Sequence, residues 1–263
     1  MATGRTVNNF SRIYVGGYDL SGYARSIGPL DCSFQEGQDN PLNASLVGTW
    51  LGQATISAGT MNSIFDNTAT SGIHALLNAP PASRVLSVPI GIRAVPAQGD
   101  PVFCGQFRQA DYVTAPQDNP IGLTINFGKT AGGTAHYNYA QPWGTLLHAN
   151  SAVTAVNSAV GVDQSYQTTK GGYMVYHVLS AAGAGDITAT IKVQDADTNL
   201  DGSFGDLLSS GVINCGSAGV AVPTSGVVAL AATATVEQFV RWQIVLGTAT
   251  SVTFVLTFVK NYI

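Results

Sequence analysis

Charged side chains are scarce in this sequence. Lys, Arg, Asp and Glu together make up 10% of the 263 residues, whereas an average soluble domain has roughly 25%. A surface with so few charges is poorly protected against association. We therefore expect either a compact all-β domain that tolerates such a surface or a protein whose surface is mostly covered by neighbouring subunits.

Cysteine is also rare. The three cysteines, Cys32, Cys104 and Cys215, lie far apart, and no two of them form a C-x-x-C pair. Neither a zinc site nor a dense disulfide framework is indicated by this spacing. We expect all three to be reduced, small, buried residues.

No basic cluster and no long apolar run occurs. The formal net charge is −4, and lysine and arginine are spread thinly along the chain, which disfavours sequence-specific binding of nucleic acid. A weakly acidic wall could still face DNA without holding it. No apolar run reaches the roughly 18 residues of a membrane-spanning helix, so we expect no membrane association. Residues 1–10 lack the apolar core of a signal peptide, so we expect synthesis in the cytoplasm.

The sequence contains no recognisable catalytic motif. The four histidines, His74, His136, His148 and His177, show no metal-ligand spacing, and no G-x-S-x-G element precedes a helix. Gly128-Lys129-Thr130 lacks the first glycine of a phosphate-binding loop, because position 123 is leucine. We expect a protein that is not an enzyme.

One acidic loop resembles part of a calcium site. Asp197, Asn199 and Asp201 form the pattern D-x-N-x-D-G, which supplies oxygen ligands from alternate residues. The glutamate expected at the twelfth position is replaced by Leu208. The alternative is a solvated loop between strands in which Asp201-Gly202 makes a tight turn. Calcium is the only cofactor that the sequence suggests.

Period-two alternation predicts strands along most of the chain. It is clearest at the C-terminus, where residues 240–246 and 251–259 are separated by a Gly-Thr-Ala-Thr turn and predict a closing β-hairpin. The outer face of the second strand is partly apolar, which suits a subunit contact. We therefore predict Val255 and Val259 as interface residues.

The fold class follows from this pattern. Many short strands with glycine and proline turns indicate an all-β fold, a β-sandwich or barrel, with one or two short helical turns between residues 61 and 78. The length permits one large domain or two in tandem. We predict a first β domain over residues 1–145 and a second over residues 146–263.

Four segments together resemble the tail tube (major tail) proteins of bacteriophages with long non-contractile tails. The segment 12–22 (RIYVGGYDLSG) is similar to the opening strand and turn of that family. Residues 187–194 and 201–207 resemble its strand, its loop and its F-x-D-L sequence, and residues 235–242 resemble the strand that leads into its final hairpin.

This resemblance implies a tail-tube-like β domain that forms rings. The second domain would be either a decorating domain, with hexameric rings, or a tube-like duplicate of the first, with trimeric pseudo-hexameric rings. The rings would stack into a tube in the virion tail, contact other tail proteins and let genomic DNA pass without sequence-specific binding. No catalytic residue is implied. Two alternatives stay open: another virion component, such as a capsid decoration or head–tail joining protein, and a carbohydrate-binding β-sandwich, with or without calcium in the acidic loop.

Overall fold

A computed structural model of the chain describes residues 11–39, 48–130, 141–154, 156, 160–217 and 220–262. The predicted all-β fold is confirmed. Within these residues the structure has one short α-helix, α1 (Ile73–Leu77), and twenty strands. The strands are β1 (Tyr14–Val15), β2 (Tyr18–Asp19), β3 (Ala24–Gly28), β4 (Asp31–Asp39), β5 (Gly48–Ser57), β6 (Gly59–Ile64), β7 (Ala82–Pro89), β8 (Pro101–Gln109), β9 (Val113–Ala115), β10 (Gly122–Thr130), β11 (Trp143–Val153), β12 (Val162–Asp163), β13 (Gly172–Gly183), β14 (Asp186–Ala196), β15 (Gly205–Ser209), β16 (Ile213–Ser217), β17 (Val220–Ala221), β18 (Thr224–Ala229), β19 (Phe239–Val245) and β20 (Ala249–Lys260).

Two sheets and one separate strand pair contain all of these strands. The larger sheet has twelve strands and runs β18-β13-β20-β11-β8-β10-β6-β3, with β1, β2, β7 and β9 attached to its side. The smaller sheet runs β12-β19-β14-β16-β17, and β15 adds to β14. Strands β4 and β5 pair with each other. Every pairing is antiparallel, as the hydrophobic alternation predicts.

The predicted closing hairpin is wrong, although both of its strands exist. Strand β19 pairs with β14 and β12 in the smaller sheet, whereas β20 pairs with β13 and β11 in the larger one. The turn at residues 246–248 therefore carries the chain from one sheet to the other. A hairpin and a connection between two sheets both place alternating strands on either side of a short turn. The sequence pattern therefore could not distinguish them.

Strand β20 is buried on both faces, which explains its partly apolar second face. Its first face, with Val252, Phe254, Leu256 and Phe258, packs against the smaller sheet in a core that includes Trp242. Its second face lies in another cluster, where Tyr14 and Cys104 cover it from the N-terminal half. A strand covered on both faces has apolar residues at successive positions.

The hydrophobic core divides along the chain. One cluster is built only from residues between Ile13 and Phe127, and another only from residues between Leu147 and Phe258. A third cluster contains residues of both halves and joins them. The predicted division between residues 145 and 146 falls inside β11, which pairs with β8 at one end and with β20 along its length. The two halves thus have separate cores and share one sheet, and a division into two domains stays a prediction.

Candidate assembly surfaces

The predicted interface residues Val255 and Val259 lie inside the protein. Their exposed fractions are 1% and 0%, because the β1–β7–β8 region folds over this face of β20. The expectation that this face is exposed was therefore wrong. Neither side chain is available to a neighbouring subunit in this structure, and a candidate assembly surface must be sought elsewhere.

A long two-stranded ribbon is formed by β4 and β5 (residues 31–39 and 48–57) and belongs to neither of the two sheets. It continues the β3–β6 pair at the end of the larger sheet and extends past Gly59, which pairs with Phe127 of β10. Nine strand residues span about 30 Å. Among the described residues neither β4 nor β5 pairs with a third strand. No strand of the described residues therefore pairs with the outer edges of the ribbon, and strand edges of this kind are templates for pairing with another chain.

One face of the ribbon is apolar and continues the N-terminal core. Cys32 lies opposite Ile56, and Phe34 lies opposite Ala54, so these four side chains share a face. Ile56 is 5% exposed and Cys32 packs beside it against the N-terminal core. Phe34, one pair further out, is 39% exposed. The apolar face thus continues beyond the part that the described residues of the chain cover.

Sequence reasoning missed the ribbon as a candidate surface. The signal was present, since Cys32 and Phe34 alternate with Ser33 and Gln35, and the chain from residue 48 to 57 is rich in residues that favour strands. The pattern alone did not show that one end of this pair would lie outside the sheet.

The acidic loop is held to the smaller sheet by Arg241. This arginine is 4% exposed. It pairs with the Asp201 carboxylate and donates to Gln194 Oε1 at 2.9 Å. Its guanidinium carbon lies 4.2 Å from the centre of the Phe204 ring, a distance that favours a cation–π contact. The loop thereby gains a fixed position on β19 and β14.

The three predicted calcium ligands have different surroundings. Asn199 Oδ1 accepts a hydrogen bond from the Gly161 amide at 2.8 Å, and Asp201 accepts from Arg241. Residues Asp201–Ser203 form a short 3-10 helix. Asp197 is exposed. Among the described residues no group of three or more His, Cys, Asp or Glu side chains is arranged to hold a metal ion. Both alternatives for this loop, a calcium site and a solvated turn between strands, stay predictions.

A buried histidine joins the two halves of the chain. His177 on β13 is fully buried; its Nε2 lies 3.0 Å from Ser87 Oγ of β7, and its Nδ1 accepts from the Gly17 amide at 3.3 Å. Burial lowers the pKa of His177 to about 3. A second histidine, His148, stacks on Phe254 with ring centroids 4.0 Å apart, and burial lowers its pKa to about 4. Both side chains are neutral near pH 7 and serve packing.

The β1–β2 turn is also fixed by the C-terminal half. Gly16 and Gly17 form a two-residue turn with φ values of 61° and 91°, which only glycine adopts readily. A Cβ atom on Gly17 would lie 2.5 Å from the Thr224 backbone nitrogen. The N-terminal turn, β13 and β18 therefore form one packed contact.

In the part of the chain that the structure describes, no helix is long and apolar enough to cross a membrane.

Comparison with known proteins gives no family. No family model matches the sequence, and no curated protein matches it. Among solved structures, the chain is similar to the Dit protein of phage SPP1, whose structure is described as a paradigm of the hub adsorption apparatus in phages that infect Gram-positive hosts. The identity is 10%, the alignment covers 96% of this chain and 99% of that chain, and the TM-score is 0.31.

A chain in the baseplate of phage p2, in its activated conformation with strontium, is also similar, with 9% identity, 96% and 98% of the two chains covered, and a TM-score of 0.35. The p2 baseplate with calcium gives the same values. At these TM-scores, which are 0.31 and 0.35, two chains need not share one fold.

Proposed function

We propose that this chain is a structural subunit of a bacteriophage tail, and that copies of it assemble into rings that stack as a tail tube. The observation that carries the assembly is the apolar face of the β4–β5 ribbon, which runs out of the core to the 39% exposed Phe34, on a strand pair that joins no third strand among the described residues. The assignment to a tail is supported by the four sequence segments that resemble tail tube proteins.

The ribbon offers the two kinds of contact that a ring needs. The edges that no described strand pairs with supply backbone donors and acceptors in a row, and the exposed face supplies apolar area worth roughly 25 cal/mol per Å² when covered. A contact between the ribbon of one copy and a different surface of the next is heterologous. Such contacts close into rings when the rotation per subunit divides a full turn.

The low charge of the chain suits a surface that neighbours cover. With a net charge of −4, a ring would repel the phosphates of passing DNA and release no counterions to it. The role is passive: the subunit forms a wall for DNA passage, contacts other tail proteins and performs no catalysis.

Negative-stain electron microscopy of the purified full-length protein tests this proposal. Stacked rings or tubes are the expected result. Single rings that do not stack would replace the tube with another ring-shaped tail component, such as a joining or hub protein. A monomer at high concentration, measured by sedimentation velocity, would contradict assembly altogether.

A further inference from the structure

Two exposed tyrosine side chains lie next to each other. Tyr166 and Tyr262 are 51% and 42% exposed, and their ring centroids are 5.3 Å apart with an angle of 50° between the planes. They come from distant parts of the chain, the β12–β13 loop and the segment after β20. The assembly surface described above does not include them.

The loop that carries Tyr166 is fixed on both sides of the ring. Gln164 and Thr168 are buried, and their backbone amides donate to Gln238 O and Val236 O at 2.9 Å. Tyr166 lies between these two anchors and is exposed. The tyrosine is thus held outward by a loop whose inward residues are bonded to the chain segment before β19.

A buried lysine side chain holds the backbone of Tyr166 by a hydrogen bond. Lys260 is 1% exposed; its ammonium donates to Tyr166 O and, at 3.1 Å, to Glu237 O. It also lies 5.4 Å from the centre of the Tyr166 ring. Ser165 adopts a φ of 71°, and its amide donates to Asp163 Oδ1 at 2.7 Å. A backbone held in this way loses little further freedom when a ligand covers the ring.

Several polar side chains belong to the same loop as Tyr166 or to the segment that the loop is bonded to. Gln167 donates to Glu237 at 2.7 Å, and Gln238 donates to Asp163 at 3.0 Å. Protein interfaces combine aromatic rings with further apolar area at their centre. A pair of tyrosine rings combined with amides and carboxylates also fits a ligand with one apolar face and many hydroxyl groups.

We propose that Tyr166 and Tyr262 form a binding platform for an uncharged saccharide. A pyranose ring stacks its C–H face on an aromatic ring, whose body is apolar and whose hydroxyl is polar. The amides and carboxylates of Gln167, Gln238 and Glu237 supply the few polar groups that orient such a ligand. The carboxylates Asp163 and Glu237 disfavour an anionic sugar, because like charges repel.

Titration of the full-length protein with four neutral tetrasaccharides (chitotetraose, cellotetraose, maltotetraose and mannotetraose) tests the platform. Saturation-transfer NMR detects binding, and calorimetry measures it. We expect at least one of them to bind with a dissociation constant of about 1 mM. Tyr166→Ala should weaken that binding by about tenfold or more, whereas Tyr166→Phe keeps the ring and should weaken it by about threefold at most.

Val212→Ala, at a residue that is 78% exposed elsewhere on the surface, is the matched control and should bind like the wild type. Thermal unfolding checks that each variant is folded. No binding of any tetrasaccharide at about 10 mM, or binding that Tyr166→Ala leaves unchanged, would overturn the proposal. So would loss of self-association in Tyr166→Ala without saccharide binding, since the ring pair would then be a protein contact. The platform does not depend on the proposed tail function, because a monomer that binds the sugar would contradict only the latter.

Discussion

Acid should destabilise this protein through its buried histidines, and His177 makes the effect measurable. Burial lowers its pKa from 6.5 to about 3, so the folded state excludes a proton that the unfolded chain binds. The contribution of neutral His177 to the free energy of unfolding is fully present above pH 6.5, and it is lost as the pH falls from 6.5 towards 3. The direction follows from the lowered pKa of a base.

The size of the effect follows from the same values. Between pH 6.5 and 4 the unfolded chain gains a proton at this site while folded His177 stays mostly neutral. Over 2.5 pH units, at about 1.4 kcal/mol per unit, the loss is about 3 kcal/mol. His148, with a pKa of about 4, adds a similar amount. Asp195 acts in the opposite direction, because burial raises its pKa. Domains of ordinary stability have about 5–15 kcal/mol in total, so the loss is large.

Urea unfolding at pH 7 and pH 4, followed by tryptophan fluorescence, measures this loss. His177→Gln removes the titrating ring and keeps a donor towards Ser87. We expect it to reduce the difference in unfolding free energy between the two pH values by about 3 kcal/mol. Val212→Ala, at a residue that is 78% exposed and does not titrate, is the control and should retain the wild-type difference. If His177→Gln shows the same difference as the wild type, the reasoning from burial is refuted.

Four further predictions test the packing and the acidic loop. Thr257→Val should raise the free energy of unfolding by about 1 kcal/mol, because Thr257 Oγ1 is buried without a hydrogen-bond partner among the described residues; an unchanged or lower value in urea would contradict this. Val255→Asp should cost about 4 kcal/mol or more, since it places a charge in a closed core, and a soluble variant with normal melting temperature would show that this face is open. Arg241→Met should cost about 2 kcal/mol and speed hydrogen exchange at residues 199–204, because it removes the contacts with Asp201 and Phe204; unchanged exchange would mean that Arg241 does not hold the loop. Calorimetric titration with calcium should give no heat, because the Asn199 and Asp201 oxygens already accept hydrogen bonds, and a saturable signal would restore the metal site.

Local pattern predicted the strands well and their partners poorly. The alternation over residues 187–193 corresponds to β14, and the alternation over residues 240–246 corresponds to β19. Of the region 61–78, only Ile73–Leu77 is α-helix, and its first residues belong to β6. Alternation reports which face of a strand is buried, and it carries no information about the strand alongside. The pairing of β19 with β14, and of β20 with β13 and β11, is decided by long-range packing.

The same limit explains why Val255 and Val259 were predicted as interface residues. An apolar second face on β20 indicates cover, and the sequence does not say whether the cover is another subunit or another part of the chain. Here Tyr14 and Cys104, more than 150 residues away along the chain, supply it. Sequence analysis also missed the ribbon and the tyrosine pair. The exposure of the ribbon depends on where the sheet ends, and the tyrosine pair depends on two distant segments of the chain coming together.

Sedimentation velocity on a matched pair of surface variants tests most directly whether the ribbon drives assembly. Phe34→Asp places a charge at the 39% exposed end of the apolar ribbon face, and Val212→Asp places the same charge at a 78% exposed residue outside it. Wild type and Val212→Asp should both sediment as rings or larger assemblies, and folded Phe34→Asp should sediment as a monomer. Equal assembly of all three proteins, or a wild type that stays monomeric at high concentration, would contradict the account.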